Sequence, residues 1–69
     1  MEKRIEHWFT YHAPKPEQIG HYNALREAAK VFALAIAEHT PQGPDQTTAI
    51  RKVREAVMTA NAAIACDGV

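Results

Sequence analysis

The sequence predicts an all-α protein, in which a short N-terminal helical arm precedes an antiparallel two-helix hairpin that assembles as a homo-oligomer. Two long segments carry apolar residues at helical spacing, and a turn rich in proline and glycine separates them. A chain of 69 residues has room for one small domain. We therefore expect a single helical-hairpin domain over residues 1–69, with the arm at 1–16, one helix at 17–39 and another at 45–65.

The first long helix is predicted from an apolar stripe whose members are separated alternately by three and four residues, which places them on one face. The stripe consists of Tyr22, Leu25, Ala29, Phe32 and Ile36. Pro16 suits the first turn of a helix, and Glu17 is favourable at the positive end of the helix dipole.

The second long helix shows the same rhythm, in Ile50, Val53, Val57, Ala60 and Ile64. Pro44 suits its first position, with Asp45 beside it and Gly43 as a possible N-cap. The connecting turn, residues 40–44, is short, so the two helices should be antiparallel. The arm can add one short helical turn, with Ile5, Trp8 and Phe9 on its apolar side.

Each long helix also carries a second, largely alanine stripe. Its members are Ala24, Ala28, Val31 and Ala35 in the first helix, and Ala49, Ala56 and Ala63 in the second. One partner helix covers only one stripe, and ordering each residue costs about 1.5 kcal/mol. We therefore expect an obligate homo-oligomer, because a lone hairpin has too small a core.

Composition excludes several classes of protein. Eight basic and eight acidic residues give no net charge, which argues against a protein that coats DNA or an anionic membrane. The longest apolar run, residues 31–37, is far shorter than the roughly 18 residues of a membrane span. The N-terminus lacks the apolar stretch of a signal peptide, and one cysteine cannot form an internal disulfide. We expect a protein of a reducing cytosol, with neither DNA nor membrane as partner.

The motifs of common catalytic sites are absent, including the phosphate-binding glycine loop, His-Glu-x-x-His and Cys-x-x-Cys. The four histidines share no helical face with the i, i+4 spacing of a metal site, so a zinc site would have to assemble across subunits. They are His7, His12, His21 and His39. We expect no metal and no cofactor, a Cys66 that serves as a small apolar residue, and a protein that is not an enzyme.

The arm is the most informative segment, because it has four aromatic or imidazole rings within five positions, followed by a stiffening proline. The segment runs Trp8-Phe9-Thr10-Tyr11-His12-Ala13-Pro14. Such rings can stack on nucleobases, while Thr10 and His12 can donate hydrogen bonds to phosphate or base edges. The alternative is that Trp8 and Phe9 only fill the end of the hairpin, since aromatic clusters usually pack together.

Two basic groups accompany the arm. Arg26 and Lys30 lie one helical turn apart near the start of the first helix, close enough in sequence to face the arm. With the rings they suit a small phosphorylated nucleotide. Alternatively, Arg26 pairs with a neighbouring carboxylate. The second group lies in the early turns of the second helix, near a helix N-terminus that can itself bind an anion. The alternative, and the more common case for a run of charged residues, is a solvent-exposed helix face. This group comprises Thr47, Thr48, Arg51, Lys52 and Arg54.

Four segments resemble the phage anti-CBASS cyclic-oligonucleotide sponges. They are Phe9-Thr10-Tyr11-His12-x-Pro14, Ala24-Leu25-Arg26-x-Ala28-Ala29-Lys30, Gly43-Pro44-Asp45 and the long run AIRKVREAVMTANA over residues 49–62. The resemblance covers nearly the whole chain, although the chain is short for the family. It implies a hexamer of helical hairpins that binds immune second messengers without cleaving them, in the cytoplasm of the infected bacterial host.

The resemblance also implies two ligand sites. A cyclic dinucleotide, such as cyclic GMP-AMP, would bind where the arm and first helix of two subunits meet, with Tyr11 stacked on a base and Arg26 or its rival Lys30 on phosphate. The expected lining is Trp8, Phe9, Thr10, Tyr11, His12, Pro14, Arg26 and Lys30. A cyclic trinucleotide would bind Arg51 or Arg54, with Thr48 nearby. Two alternatives remain, a helical adaptor without a nucleotide ligand and a small enzyme that degrades the same messengers through His12.

Overall fold

The structure is a computed structural model that describes residues 1–68, and it consists of three α-helices. They are α1 (Glu2–Trp8), α2 (Pro16–His39) and α3 (Pro44–Ala65). No strand occurs among the described residues, so the predicted all-α class is confirmed. Each long helix begins at a proline, one residue before the predicted start, because the first helical position needs no backbone N–H. None of the helices is long and apolar enough to cross a membrane.

The two long helices pack against each other as an antiparallel hairpin. All five members of the predicted α3 stripe are half-buried, as are four members of the α2 stripe. The exception is Phe32, which is 59% exposed although it belongs to the stripe. A single hairpin therefore leaves part of its own apolar stripe uncovered.

Two glutamines connect the helices at the two ends of the hairpin. At the open end, Gln18 Nε2 donates to the Ile64 carbonyl at 3.2 Å, while the Lys15 N–H donates to Gln18 Oε1 at 3.0 Å. At the turn, Gln46 Nε2 lies 3.1 Å from the Thr40 carbonyl and 3.3 Å from the Ala37 carbonyl. These amides satisfy carbonyls at helix C-termini that have no partner within the helix.

The arm folds back onto the C-terminal end of α3. His7 Nε2 donates to the Cys66 carbonyl at 3.0 Å, which connects residues 59 positions apart. Cys66 is held in place because α3 ends in a Schellman-type turn, with Asp67 at φ 54° and the Gly68 N–H bonded to the Ala63 carbonyl at 2.9 Å. The arm and the C-terminus of α3 thus meet at the open end of the hairpin.

Candidate functional site

The two most exposed aromatic rings of the arm are those of Phe9 and Tyr11, at 85% and 84% exposure. They follow α1 directly, where the chain has left the helix and has not yet entered α2. The sequence alternative, that Phe9 fills the end of the hairpin, is wrong. Trp8 differs, since it lines a groove against α3 and lies under the Arg4 guanidinium, 5.8 Å from the ring centroid. Phe9 and Tyr11 therefore present the ring faces that a nucleobase could stack on.

Thr10 and His12 use their polar atoms inside the arm. The Thr10 hydroxyl donates to the Glu6 carbonyl at 2.6 Å, and His12 Nε2 donates to the His7 carbonyl at 2.7 Å. Their predicted contacts with a ligand would require these bonds to be replaced. Pro14 is exposed in the segment that leads to α2.

Arg26 lies in the middle part of α2. It is ten residues beyond Pro16, which corresponds to about 15 Å along the axis of α2. Its Nη1 lies 3.5 Å from Asn23 Oδ1, and it forms no ion pair within residues 1–68. Arg26 is thus about 15 Å beyond the residue at which the arm ends.

One side of the hairpin is apolar. A shallow groove of about 270 Å³ runs along the seam between α2 and α3 on this side. It is lined by Leu25, Ala28, Ala29, Phe32, Ala56, Val57 and Ala60. Most of the alanines of the second stripes lie on the same flank, because each residue advances about 100° around a helix.

The other side of the hairpin is basic. Arg26 and Lys30 lie on the flank of the α2 stripe opposite the apolar groove, and Arg51 and Arg54 lie on the corresponding flank of α3. The contact between Gln18 and Ile64 sets the register of the helices, so these four residues lie within about two helical turns of one another. All four are exposed, and none forms an ion pair within the described residues. We call Arg26, Lys30, Arg51 and Arg54 the basic face.

The structure shows how the predicted site residues of the two long helices are placed within one hairpin. It brings the cations of α2 and α3 to one face, although the sequence placed them in two separate sites. Thr48 lies about 120° around α3 from Arg54, so its side chain is not next to Arg54 on the basic face. Lys52 lies about 160° from Arg54 and points to the other side of the hairpin.

Sequence reasoning missed two features. Asn61 Oδ1, on the same flank of α3 as Arg54, is buried without a hydrogen-bond partner among the described residues. His7, His12 and Cys66 come together in one chain, with their ligand atoms within 4.8 Å of one another. The expectation that histidines could meet only across subunits is wrong, because folding of the arm joins positions that no local spacing connects.

Comparison with known proteins identifies the family. The family model described as "Acb2/Tad1, hairpin domain" matches residues 1–65, which include the arm, both long helices and the turn. No curated protein and no solved structure matches the chain. Since the match covers nearly all of the sequence, and the fold is a helical hairpin with a short N-terminal arm, the chain belongs to the Acb2/Tad1 family of anti-CBASS sponges.

Proposed function

We propose that the protein sequesters cyclic oligonucleotide second messengers in the cytoplasm of the infected host, and so blocks CBASS effectors without cleaving the messenger. The family match over residues 1–65 carries this proposal. The exposed rings of Phe9 and Tyr11 and the basic face supply the chemistry, because stacking and charge-assisted hydrogen bonds together recognise a nucleotide.

A cyclic dinucleotide such as cyclic GMP-AMP would bind between two subunits. Arg26 lies about 15 Å along α2 from Pro16, the last residue of the arm. An arm from one subunit placed against α2 of a neighbour would bring Tyr11 and Arg26 together, and Lys30, one turn further along α2, is the second candidate for the phosphate. A twofold axis would then repeat the same contacts on both halves of the dinucleotide.

A cyclic trinucleotide suits a threefold axis instead. Arg54 is the stronger candidate for its phosphates, since its direction around α3 is closer to the contact with α2 than that of Arg51. A hexamer with dihedral symmetry contains both twofold and threefold axes, so one assembly could hold both kinds of ligand.

Self-assembly is supported by the surface of the hairpin. Val31, Phe32, Leu34 and Met58 are each more than half exposed, and Cys66 alone is buried among residues 1–68. The chain exposes 5863 Å², whereas a compact monomer of 7.7 kDa exposes about 4,300 Å² by size scaling. The excess of about 1,500 Å² is enough for more than one standard interface per subunit.

The expected mass in solution is that of six chains. Light scattering coupled to size exclusion at micromolar concentration measures it directly. A folded monomer that melts cooperatively at this concentration would contradict the oligomer, because the apolar surface would then be stable without a partner.

Sequestration is tested by recovering the ligand. The protein is incubated with a panel of cyclic di- and trinucleotides, freed of unbound ligand, and denatured by heat. We expect the released compound to be intact by chromatography and to activate a CBASS effector again. Release of a linear product would support the alternative of an enzyme acting through His12, and retention of no ligand would support a helical adaptor. Either result would contradict the sponge.

A further inference from the structure

We propose that His7, His12 and Cys66 form a binding site for one thiophilic transition-metal ion, with Zn²⁺ as the leading candidate. One ring nitrogen of each histidine and the Cys66 Sγ lie within 4.8 Å of one another. In a tetrahedral zinc site with Zn–N bonds of about 2.0–2.1 Å and a Zn–S bond of about 2.3 Å, ligand atoms are about 3.4–3.6 Å apart. Side-chain shifts of little more than about 1 Å would close the cluster around an ion.

Each imidazole donates one ring hydrogen bond to a backbone carbonyl. His7 Nε2 donates to the Cys66 carbonyl at 3.0 Å, and His12 Nε2 donates to the His7 carbonyl at 2.7 Å. A carbonyl oxygen only accepts, so each Nε2 carries the proton and each Nδ1 keeps its lone pair. The ion would therefore bind the two Nδ1 atoms, since histidines that bind metals usually donate their second ring nitrogen to such an acceptor.

The surroundings also suit a cation. Cys66 is 7% exposed, both histidines are half-buried, and the two ring centroids are 4.6 Å apart. Cys66 caps the C-terminus of α3, where the helix dipole favours positive charge. A groove of about 340 Å³ reaches Cys66 between Trp8 and Thr59. The three protein ligands would leave the fourth coordination position to a water molecule.

The ion would fasten the arm to the hairpin. Two ligands come from the arm side, His7 and His12, and the third follows α3, 59 positions from His7. Binding would deprotonate the Cys66 thiol, releasing its proton to solvent, and would stabilise the folded state because the three groups meet only there. The loop between the two histidine ligands carries Phe9 and Tyr11, so the metal would hold the exposed rings in one arrangement.

Cobalt substitution tests the site independently of nucleotide binding. The full-length protein is freed of metal with a chelator, kept reduced and titrated with Co²⁺. We expect one Co²⁺ per chain, with a near-ultraviolet thiolate-to-cobalt charge-transfer band, intense visible absorption typical of tetrahedral Co²⁺, and displacement by Zn²⁺. A titration without the charge-transfer band would overturn the proposal.

Matched variants identify the ligands. Cys66→Ser should remove the charge-transfer band, and His12→Gln should weaken Co²⁺ binding at least as much as the 10–100-fold loss typical of a missing outer-sphere partner. The control is His39→Gln, which changes an exposed histidine at the end of α2 and should leave the titration unchanged. Equal Co²⁺ affinity in His12→Gln and His39→Gln would assign the binding to another site.

Native-state proteolysis tests the site in the wild-type protein, so it does not depend on whether a variant folds. Chymotrypsin cuts after exposed aromatic residues, and Phe9 and Tyr11 lie in the loop between the histidine ligands. In the wild-type protein, one equivalent of Zn²⁺ should slow cleavage at both positions, because the loop must open locally to be cut. Identical cleavage rates with Zn²⁺ and with chelator would contradict a metal that fastens the arm.

Discussion

Replacing Tyr11 with alanine is expected to weaken cyclic dinucleotide binding by roughly 30-fold to 10⁴-fold. Stacking contributes about 1–3 kcal/mol per base, and a twofold site would lose one stacked ring for each of the two bases. Tyr11 is 84% exposed and forms no hydrogen bond within residues 1–68, so its loss should leave the fold and the oligomer intact. Calorimetry with a cyclic dinucleotide measures the effect.

The matched control is Tyr11→Phe, which removes the hydroxyl and keeps the ring. It should bind the dinucleotide nearly as well as the wild-type protein, because stacking depends on the ring face. Trinucleotide binding should survive in both variants. Unchanged dinucleotide affinity in Tyr11→Ala, with the assembly intact, would show that the arm does not contribute to the site.

Removing both Arg51 and Arg54 is expected to abolish detectable cyclic trinucleotide binding. At a threefold axis a single arginine acts three times on one ligand, and hydrogen bonds to charged groups contribute about 1.5–3 kcal/mol each. The loss for even one of the two arginines is then roughly 10³-fold to 10⁶-fold in affinity. Titration of Arg51→Ala, Arg54→Ala and the double variant shows which arginine contacts the ligand.

Lys52→Ala is the control for these variants. It removes the same charge from the same turn of α3, but Lys52 points to the other side of the hairpin. Each variant is first sized by light scattering, since a broken oligomer would lose both ligands at once. An intact hexamer that binds trinucleotides normally without Arg51 and Arg54 would refute the site on α3.

Because Arg26 belongs to the basic face, Arg26→Ala is expected to affect the binding of both ligands. The sequence placed Arg26 and the α3 arginines in different parts of the hairpin, whereas the structure places them on one side and within two turns. Loss of Arg26 therefore alters the electrostatic potential at Arg54 as well, because exposed charges interact over a Debye length of about 10 Å at 0.1 M salt. We expect it to weaken dinucleotide binding more than trinucleotide binding, and Tyr11→Ala to separate the two ligands more cleanly.

The three-helix architecture could be predicted from the sequence because it depends on local signals. Spacings of three and four residues identify an apolar stripe on each long helix, and Pro16, Pro44 and the short turn determine where the helices begin and how they are joined. The exposed position of Phe32 could not be predicted this way. Periodicity shows which residues share a face, but not whether one partner helix is wide enough to cover that face.

The candidate residues were also visible in the sequence, because four aromatic or imidazole rings fall within five positions of the arm and basic residues cluster in both long helices. The sequence could not show which polar atoms of the arm remain free to bind a ligand. Thr10 and His12 use theirs to shape the arm, while Phe9 and Tyr11 remain exposed. Hydrogen bonds within an irregular segment depend on a backbone geometry that leaves no periodic pattern in the amino-acid sequence.

The amino-acid sequence by itself thus determined the helices, their antiparallel order, the aromatic arm and the family. Only the tertiary structure decided which groups are neighbours. Antiparallel register brings Arg26 and Arg54 to one face, and the arm folding onto α3 brings His7 and His12 to Cys66. Helical periodicity relates residues three or four positions apart, whereas contacts across some 30 to 60 positions depend on how whole elements pack.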